Sequence, residues 1–263
     1  MSRATRVTLS LASLGRLGFG RDGSLRGLGT LAAGALLASA LFVSRLEAEV
    51  KPAQVSALEG KADKSHGENG KASPLAVGIS VAEGDFISTA EESRLELKFA
   101  DQSVLRIGPK AKVALTAAHF GQGPSKRKMT ARLFFGNLWA KVTSAISGDQ
   151  KFQIETENAV AGVRGTTFRV DMRADKSVLV RVYAGAVAVA KNIPGTSTKE
   201  GRHEVPGPEE VSRERWEKIV GKQMEIIVAA DGTPGAPTAF TAEADKDDQW
   251  AEWNLARDAA AAR

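Results

Sequence analysis

Arg94-Leu95-Glu96-Leu97-Lys98-Phe99 alternates polar and apolar residues without a break, and after Asp101-Gln102-Ser103 the alternation resumes in Val104-Leu105-Arg106-Ile107. A period of two places Leu95, Leu97 and Phe99 on one face of an extended chain and Arg94, Glu96 and Lys98 on the other. Gly108-Pro109 stops the second run, because proline has no N–H to give to a ladder. Working outward, similar runs are Asp85–Ser88, Lys112–Thr116, Thr130–Phe135, Leu138–Val142, Lys151–Thr156, Thr167–Met172, Ser177–Tyr183 and Val187–Lys191. Short alternating runs separated by Gly, Asp, Asn and Pro predict an all-β domain over residues 50–206. Val, Ile, Leu and Phe take the inward positions, and Arg, Lys and Glu stand opposite.

One small element recurs, an apolar strand end, a glycine and a further alternating strand. It is present at Leu58-Glu59-Gly60-Lys61-Ala62, at Phe135-Gly136-Asn137-Leu138-Trp139 and at Ala184-Gly185-Ala186-Val187. Glycine permits a bend or a positive φ there. The recurrence points to short stacked strands, solenoid-like or in a twisted sandwich. Ser65–Ala72 and Gly121–Lys128 read as polar turns.

After Pro206-Gly207-Pro208 the period changes. Val211, Trp216, Ile219, Val220, Met224 and Ile227 follow helical spacing, which predicts an amphipathic helix over 207–230. Residues 231–240, rich in Gly and Pro, read as a linker. Residues 241–263, acidic early and ending in Arg, predict a second helix. On it Trp250, Trp253 and Arg257 share one face, and two tryptophans are a large apolar area to leave in water, so this helix is expected to dock on the β domain.

The chain has 263 residues and a net charge of +5, yet residues 1–48 alone hold six arginines against Asp22 and Glu47. The basicity therefore belongs to the N-terminus, which disfavours a nucleic-acid partner for the folded part. Residues 27–44 carry no charge. Behind the Arg-bearing stretch 1–26 they read as a signal anchor or a cleaved signal peptide that sends the rest of the chain outward. The expected location is periplasmic, anchored in the inner membrane through 27–44 if that segment is uncleaved, and exported in either case. The absence of cysteine excludes disulfides, thiolate metal sites and a cysteine nucleophile. His66, His119 and His203 lie far apart, in polar turns or at a strand end, and read as exposed side chains. No phosphate-binding, zinc-protease, nucleophile-elbow or calcium-loop sequence occurs. Gly162-Val163-Arg164-Gly165 reads as a tight turn. No catalytic residue, metal ligand or cofactor is expected, and the chain is read as a non-enzyme.

Gly84-Asp85-Phe86-Ile87-Ser88-Thr89, with the strands that follow it, resembles the opening of the FecR domain family. Asp101-Gln102-Ser103-Val104-Leu105-Arg106-Ile107-Gly108-Pro109 is similar to that family's next strand pair, with Gln102 in place of the usual glycine. Gly136-Asn137-Leu138-Trp139 follows. Phe152–Phe168, including Thr156 and Val163-Arg164-Gly165-Thr166-Thr167-Phe168, looks like its most distinctive signature, with Glu157 where proline is common. Val182–Val189, with Gly185, resembles its closing strand pair, and Trp250–Asp258 a tail seen after stand-alone members. The glycines of this signature read as turns, and Arg164 as a bridge to turn carbonyls or to a carboxylate, structural or ligand-facing. The family is named for a periplasmic regulator of ferric citrate uptake, in which an N-terminal cytoplasmic domain holds a sigma factor. Only residues 1–26 precede the apolar stretch, so the resemblance implies a stand-alone module lacking the anti-sigma domain. It implies a sensing or protein-interaction role in the cell envelope, with an envelope protein or a wall polymer as partner. The alternative is a structural or assembly protein of the envelope with no signalling role.

Overall fold

The computed structural model describes residues 53–120, 127–142, 151–193 and 218–261. The stretches 1–26 and 27–44 lie outside them, and no helix among the described residues is long and apolar enough to cross a membrane.

The described chain forms strands β1 (Ala53–Glu59), β2 (Ala62–His66), β3 (Ser73–Pro74), β4 (Ser80–Val81), β5 (Asp85–Thr89), β6 (Arg94–Lys98) and β7 (Val104–Ile107). Then come the longer β8 (Lys112–Phe120), β9 (Arg127–Lys141), β10 (Lys151–Glu155), β11 (Ala159–Met172) and β12 (Val178–Lys191). Strands β13 (Lys218–Val220), β14 (Met224–Val228) and β15 (Thr238–Ala239) precede helix α1 (Gln249–Ala260).

Hydrogen-bonded pairing sorts these strands into two layers that share three long strands. The first layer runs β3-β2-β5-β8, then the first half of β9, β10, the first half of β11, the second half of β12 and β13. The second runs β4-β1-β6-β7, then the second half of β9, the second half of β11, the first half of β12, β14 and β15. Residues on the inner faces of both layers pack into one hydrophobic core, with Ile87, Leu115 and Ile154 from the first layer and Leu97, Ile107, Phe168 and Val180 from the second. Phe99 meets Phe152 edge to face across it.

The recurrent glycines mark where a strand passes from one layer to the other. Gly136 (φ +91°) divides β9: Phe135 is still opposite Lys112 of β8, whereas Leu138 is opposite Ile107 of β7. A Cβ at Gly136 would lie 2.6 Å from Ala111 Cα. Gly185 (φ +81°) divides β12 in the same way, between its pairing with β14 and its pairing with β13. Each pair of short strands expected around Gly136 and Gly185 is thus one bent strand. Because β9 ends in the second layer, the chain must return to the first, and it re-enters as β10 beside the start of β9, which is why this pair is parallel.

Three expectations are corrected. The helix over 207–230 is not formed where its residues are described, since Lys218–Val220 and Met224–Val228 are strands. Their burial alternates with period two, Ile226 and Val228 inward and Ile227 outward, because these residues extend the edges of the two layers beside β12. The β domain therefore continues past residue 206. The 231–240 linker is partly sheet, as Thr238–Ala239 pairs with β14 and Pro234 bridges Val228. The expected helix over 241–263 is a single 3-10 turn at Ala242–Asp245 followed by α1, which starts only at Gln249 because the Asp248 carboxylate caps it by accepting from Trp250 N and Ala251 N.

Candidate functional site

The signature residues singled out in the sequence are distributed through the framework and do not converge. Gly84 (φ +85°) leads into β5. Asp85 is buried and accepts from Ala82 N, Lys64 Nζ and His66 Nδ1. Burial would raise its carboxyl, but these hydrogen bonds and the Lys64 charge hold it below the usual carboxylate range. Thr89 Oγ1 donates to Gly108 O at 2.6 Å and accepts from Ala111 N, tying β5 to the β7–β8 turn. Ser103 is buried and bonds Asp101 in the β6–β7 turn. Thr156 Oγ1 accepts from Ala159 N and closes the β10–β11 turn. Val163 stands between Phe152 and Val187, and Phe168 is fully buried between Ala140 and Val182. Gly165 (φ +52°) and Thr166 lie in a register shift of β11, and the Thr166 carbonyl accepts from Val142 N. The Gly162–Gly165 stretch is therefore continuous strand with a bulge, not a turn between strands. Arg164 is in that strand opposite Ala186. The side chain of Arg164 lies outside what the structure describes; the other residues stand at corners, in turns and in the core.

A different set of side chains does converge. Glu96, Arg106, Trp139, Arg169, Arg181 and Glu225 stand directly opposite one another across β6, β7, β9, β11, β12 and β14. Directly opposed residues have Cβ atoms about 4.5–5.5 Å apart, so this is one transverse row on the outer face of the second layer. Within the sheet each arginine already has a carboxylate. Arg106 Nε donates to Glu96 at 2.7 Å, Arg169 Nε to Asp171 at 2.8 Å and Arg181 Nε to Glu225 at 2.8 Å.

The C-terminal segment lies over this row and supplies each arginine with a second carboxylate. Arg181 pairs with Asp245, Arg169 with Asp248, and Arg106 Nη2 with Asp258 at 2.9 Å. Asp258 also accepts from Trp139 Nε1 at 3.0 Å, and Asn254 accepts from Arg106 Nη1. The polarity reverses at the end of the row, where Arg257 donates to both oxygens of Glu96 at 3.0 Å. Residue number rises as the contacts pass from β12 to β6, so the segment crosses the strands.

Of the three residues expected to dock, Trp250 is buried and stacks on Trp253, with ring centroids 5.5 Å apart. Trp253 is half-buried, donates to Glu59 at 2.8 Å and is flanked by the guanidinium groups of Arg94, Arg106 and Arg257. Such cation–π contacts are worth about 0.5–2 kcal/mol each. Two residues along β12 from Arg181, Tyr183 lies tilted against Trp139 with ring centroids 4.3 Å apart and meets Phe240 edge to face.

Burial and pairing set the electrostatics. Burial alone would raise the Glu96 carboxyl, but hydrogen bonds from Arg257, Arg106 and Ser56 outweigh it and hold its pKa at about 2. Asp248 is likewise held low, burial being outweighed by Arg169 and by the capped amides. Asp171 goes the other way because its burial dominates over the pull of Arg169.

The sequence reading missed this row because outward charges on a strand are usually solvated. The available signal was an arginine flanked on both sides by inward apolar residues, as in Leu105-Arg106-Ile107, Phe168-Arg169-Val170 and Val180-Arg181-Val182. Groups of three or more His, Asp or Glu that could hold a metal ion are absent among the described residues.

Residues 85–188 match the family described as FecR protein. No curated protein matches the chain. Two crystal structures of a proposed anti-sigma factor from Parabacteroides distasonis ATCC 8503, at 1.65 and 2.50 Å resolution, are similar to it. Each has 15% sequence identity and a TM-score of 0.41, over 59% of this chain and 59% of the other.

Proposed function

We propose that this chain, which carries a FecR domain over residues 85–188, is a non-enzymatic sensing or protein-interaction module of the bacterial cell envelope. The observation that carries the reading is the outer face of the second layer. Its arginine, carboxylate and tryptophan side chains are registered across six strands and read a peptide helix by paired hydrogen bonds. Arginine and tryptophan are the side chains that dominate protein recognition, since each combines contact area with directed donors. The envelope location rests on residues 27–44, uncharged and preceded by an arginine-bearing stretch, which serve as signal anchor or signal peptide. The partner is a protein of the envelope.

The test has two parts. A reporter active only in the periplasm, fused after residue 50, is expected to be active, and cytoplasmic activity would refute export. A photo-crosslinking residue at Lys98, exposed on β6 two residues from Glu96 and on the same outward face, is expected to trap one discrete envelope protein in living cells. Adducts only to the same chain would favour the structural or assembly alternative.

A further inference from the structure

We infer that the outer face of the second layer is a receptor for an acidic, tryptophan-bearing helix, and that residues 245–258 of the chain fill it as an intramolecular ligand which an external helix of the same chemistry displaces. The inference rests on the protein-interaction reading above and names the class of partner.

Three observations carry it. The first is how the charges are divided. Arg106, Arg169 and Arg181 each hold one carboxylate from the sheet (Glu96, Asp171, Glu225) and one from the tail (Asp258, Asp248, Asp245). If the tail leaves, no guanidinium loses its last anion, so the face can stand open without an unpaired buried charge, the costliest outcome for a group of this kind. What the departure frees is a set of guanidinium donors, held in place by the in-sheet pairs and ready for a second carboxylate.

The second observation is the composition of the contact. Its directed links are ion pairs, hydrogen bonds and guanidinium contacts to Trp253, which an equivalent helix from another chain can reproduce, while Leu255 points outward, 43% exposed. The third is imperfect fit. Trp250 Nε1 is buried with no hydrogen-bond partner among the described residues. A buried donor left unpaired costs free energy that a better-matched helix would not lose. The requirements on an incoming helix follow. It needs two carboxylates placed as Asp248 and Asp258 are, ten residues apart and therefore about 15 Å along the helix, with a tryptophan near the first and an arginine beside the second.

The experiment uses the full chain and a fluorescent peptide spanning residues 241–263. In the full-length variant Asp245→Asn/Asp248→Asn/Asp258→Asn the tail keeps its shape, and asparagine caps a helix as well as aspartate does, but its charges no longer engage the arginines. The peptide is expected to bind this variant at least tenfold more tightly than the wild-type chain, whose own tail competes at an effective concentration of about millimolar. A peptide carrying the same three substitutions is expected to bind at least tenfold more weakly. Equal affinity of the two peptides, or no binding to a variant that melts cooperatively, would overturn the inference. Should the variant not fold, amide exchange of the wild-type chain decides. Exchange of α1 amides ahead of those in β11 and β12, faster at higher salt, supports a displaceable tail; exchange of all three together overturns it. A wild-type chain that is already a tail-exchanged dimer would overturn the assignment to an external partner. Peptide binding makes no reference to the envelope, so its failure leaves the export and crosslinking results standing.

Discussion

Replacing Arg106 by methionine removes a cation with four hydrogen bonds, the most of any arginine in the row among the described residues, while keeping most of its apolar stem. The side chain is 2% exposed and donates to Glu96, to Asn254 and to Asp258. Without it, Glu96 retains Arg257 and Ser56, and Asp258 retains Trp139 Nε1 and, at 3.8 Å, Lys141. Breaking a buried pair costs about 3–5 kcal/mol when the ion left behind has no partner; here both anions keep one, so the loss is about 2–3 kcal/mol, the scale of a charge-assisted hydrogen bond. With a urea dependence of about 2 kcal/mol per molar, the unfolding midpoint of Arg106→Met falls by about 1 M. Asp258→Asn should cost less, about 1–2 kcal/mol, because Arg106 then still holds Glu96 and the amide oxygen still accepts. The double variant Glu96→Gln/Arg106→Met should lose less than the two single losses added together, by more than about 0.5 kcal/mol, since no anion remains at residue 96. Urea unfolding of the full chain, followed by circular dichroism, measures the wild type and the four variants, Glu96→Gln included. A loss under about 1 kcal/mol for Arg106→Met, or strict additivity in the cycle, would refute the buried row as described.

Stability should fall in acid: Glu96 titrates at about 2 when folded against 4.5 ordinarily, so its contribution is complete above about pH 4.5 and is lost as pH falls toward 2. About 2 kcal/mol of it should be gone at pH 3, Asp85 and Asp248 adding to the loss and the raised Asp171 opposing it, and Glu96→Gln should flatten the profile measured by urea midpoints. Phe168→Ala, at a fully buried position, should cost about 3–5 kcal/mol, and a change under about 0.5 kcal/mol would place the side chain outside the core. Gly185→Ala should cost more than about 2 kcal/mol, because its Cβ would lie 2.6 Å from the Gly165 carbonyl oxygen at positive φ. Gly162→Ala, whose nearest neighbour would be 3.9 Å away, should change stability by less than about 1 kcal/mol in the same melting experiment.

The amino-acid sequence alone defined most strands between Asp85 and Lys191 and their inward residues. Leu95, Leu97, Leu105, Ile107 and Phe168 are all in the core because alternation is a local property of a pleated chain and needs no knowledge of neighbours. It also located the bends at Gly136 and Gly185, since a positive φ is a demand on one residue. It misjudged 218–228, where three-residue and five-residue strands are too short to distinguish a period of two from one of 3.6, and where the deciding influence was the open edges of the two layers beside β12. The row from Glu96 to Glu225 was beyond it for a different reason. Each member is an ordinary outward charge or ring in its own strand, and only inter-strand register places them opposite one another. Register depends on pairings between residues up to 44 positions apart, as between Arg181 and Glu225, and the burial that α1 then imposes on them depends on contacts up to 161 positions apart, so neither is written in any local stretch of residues.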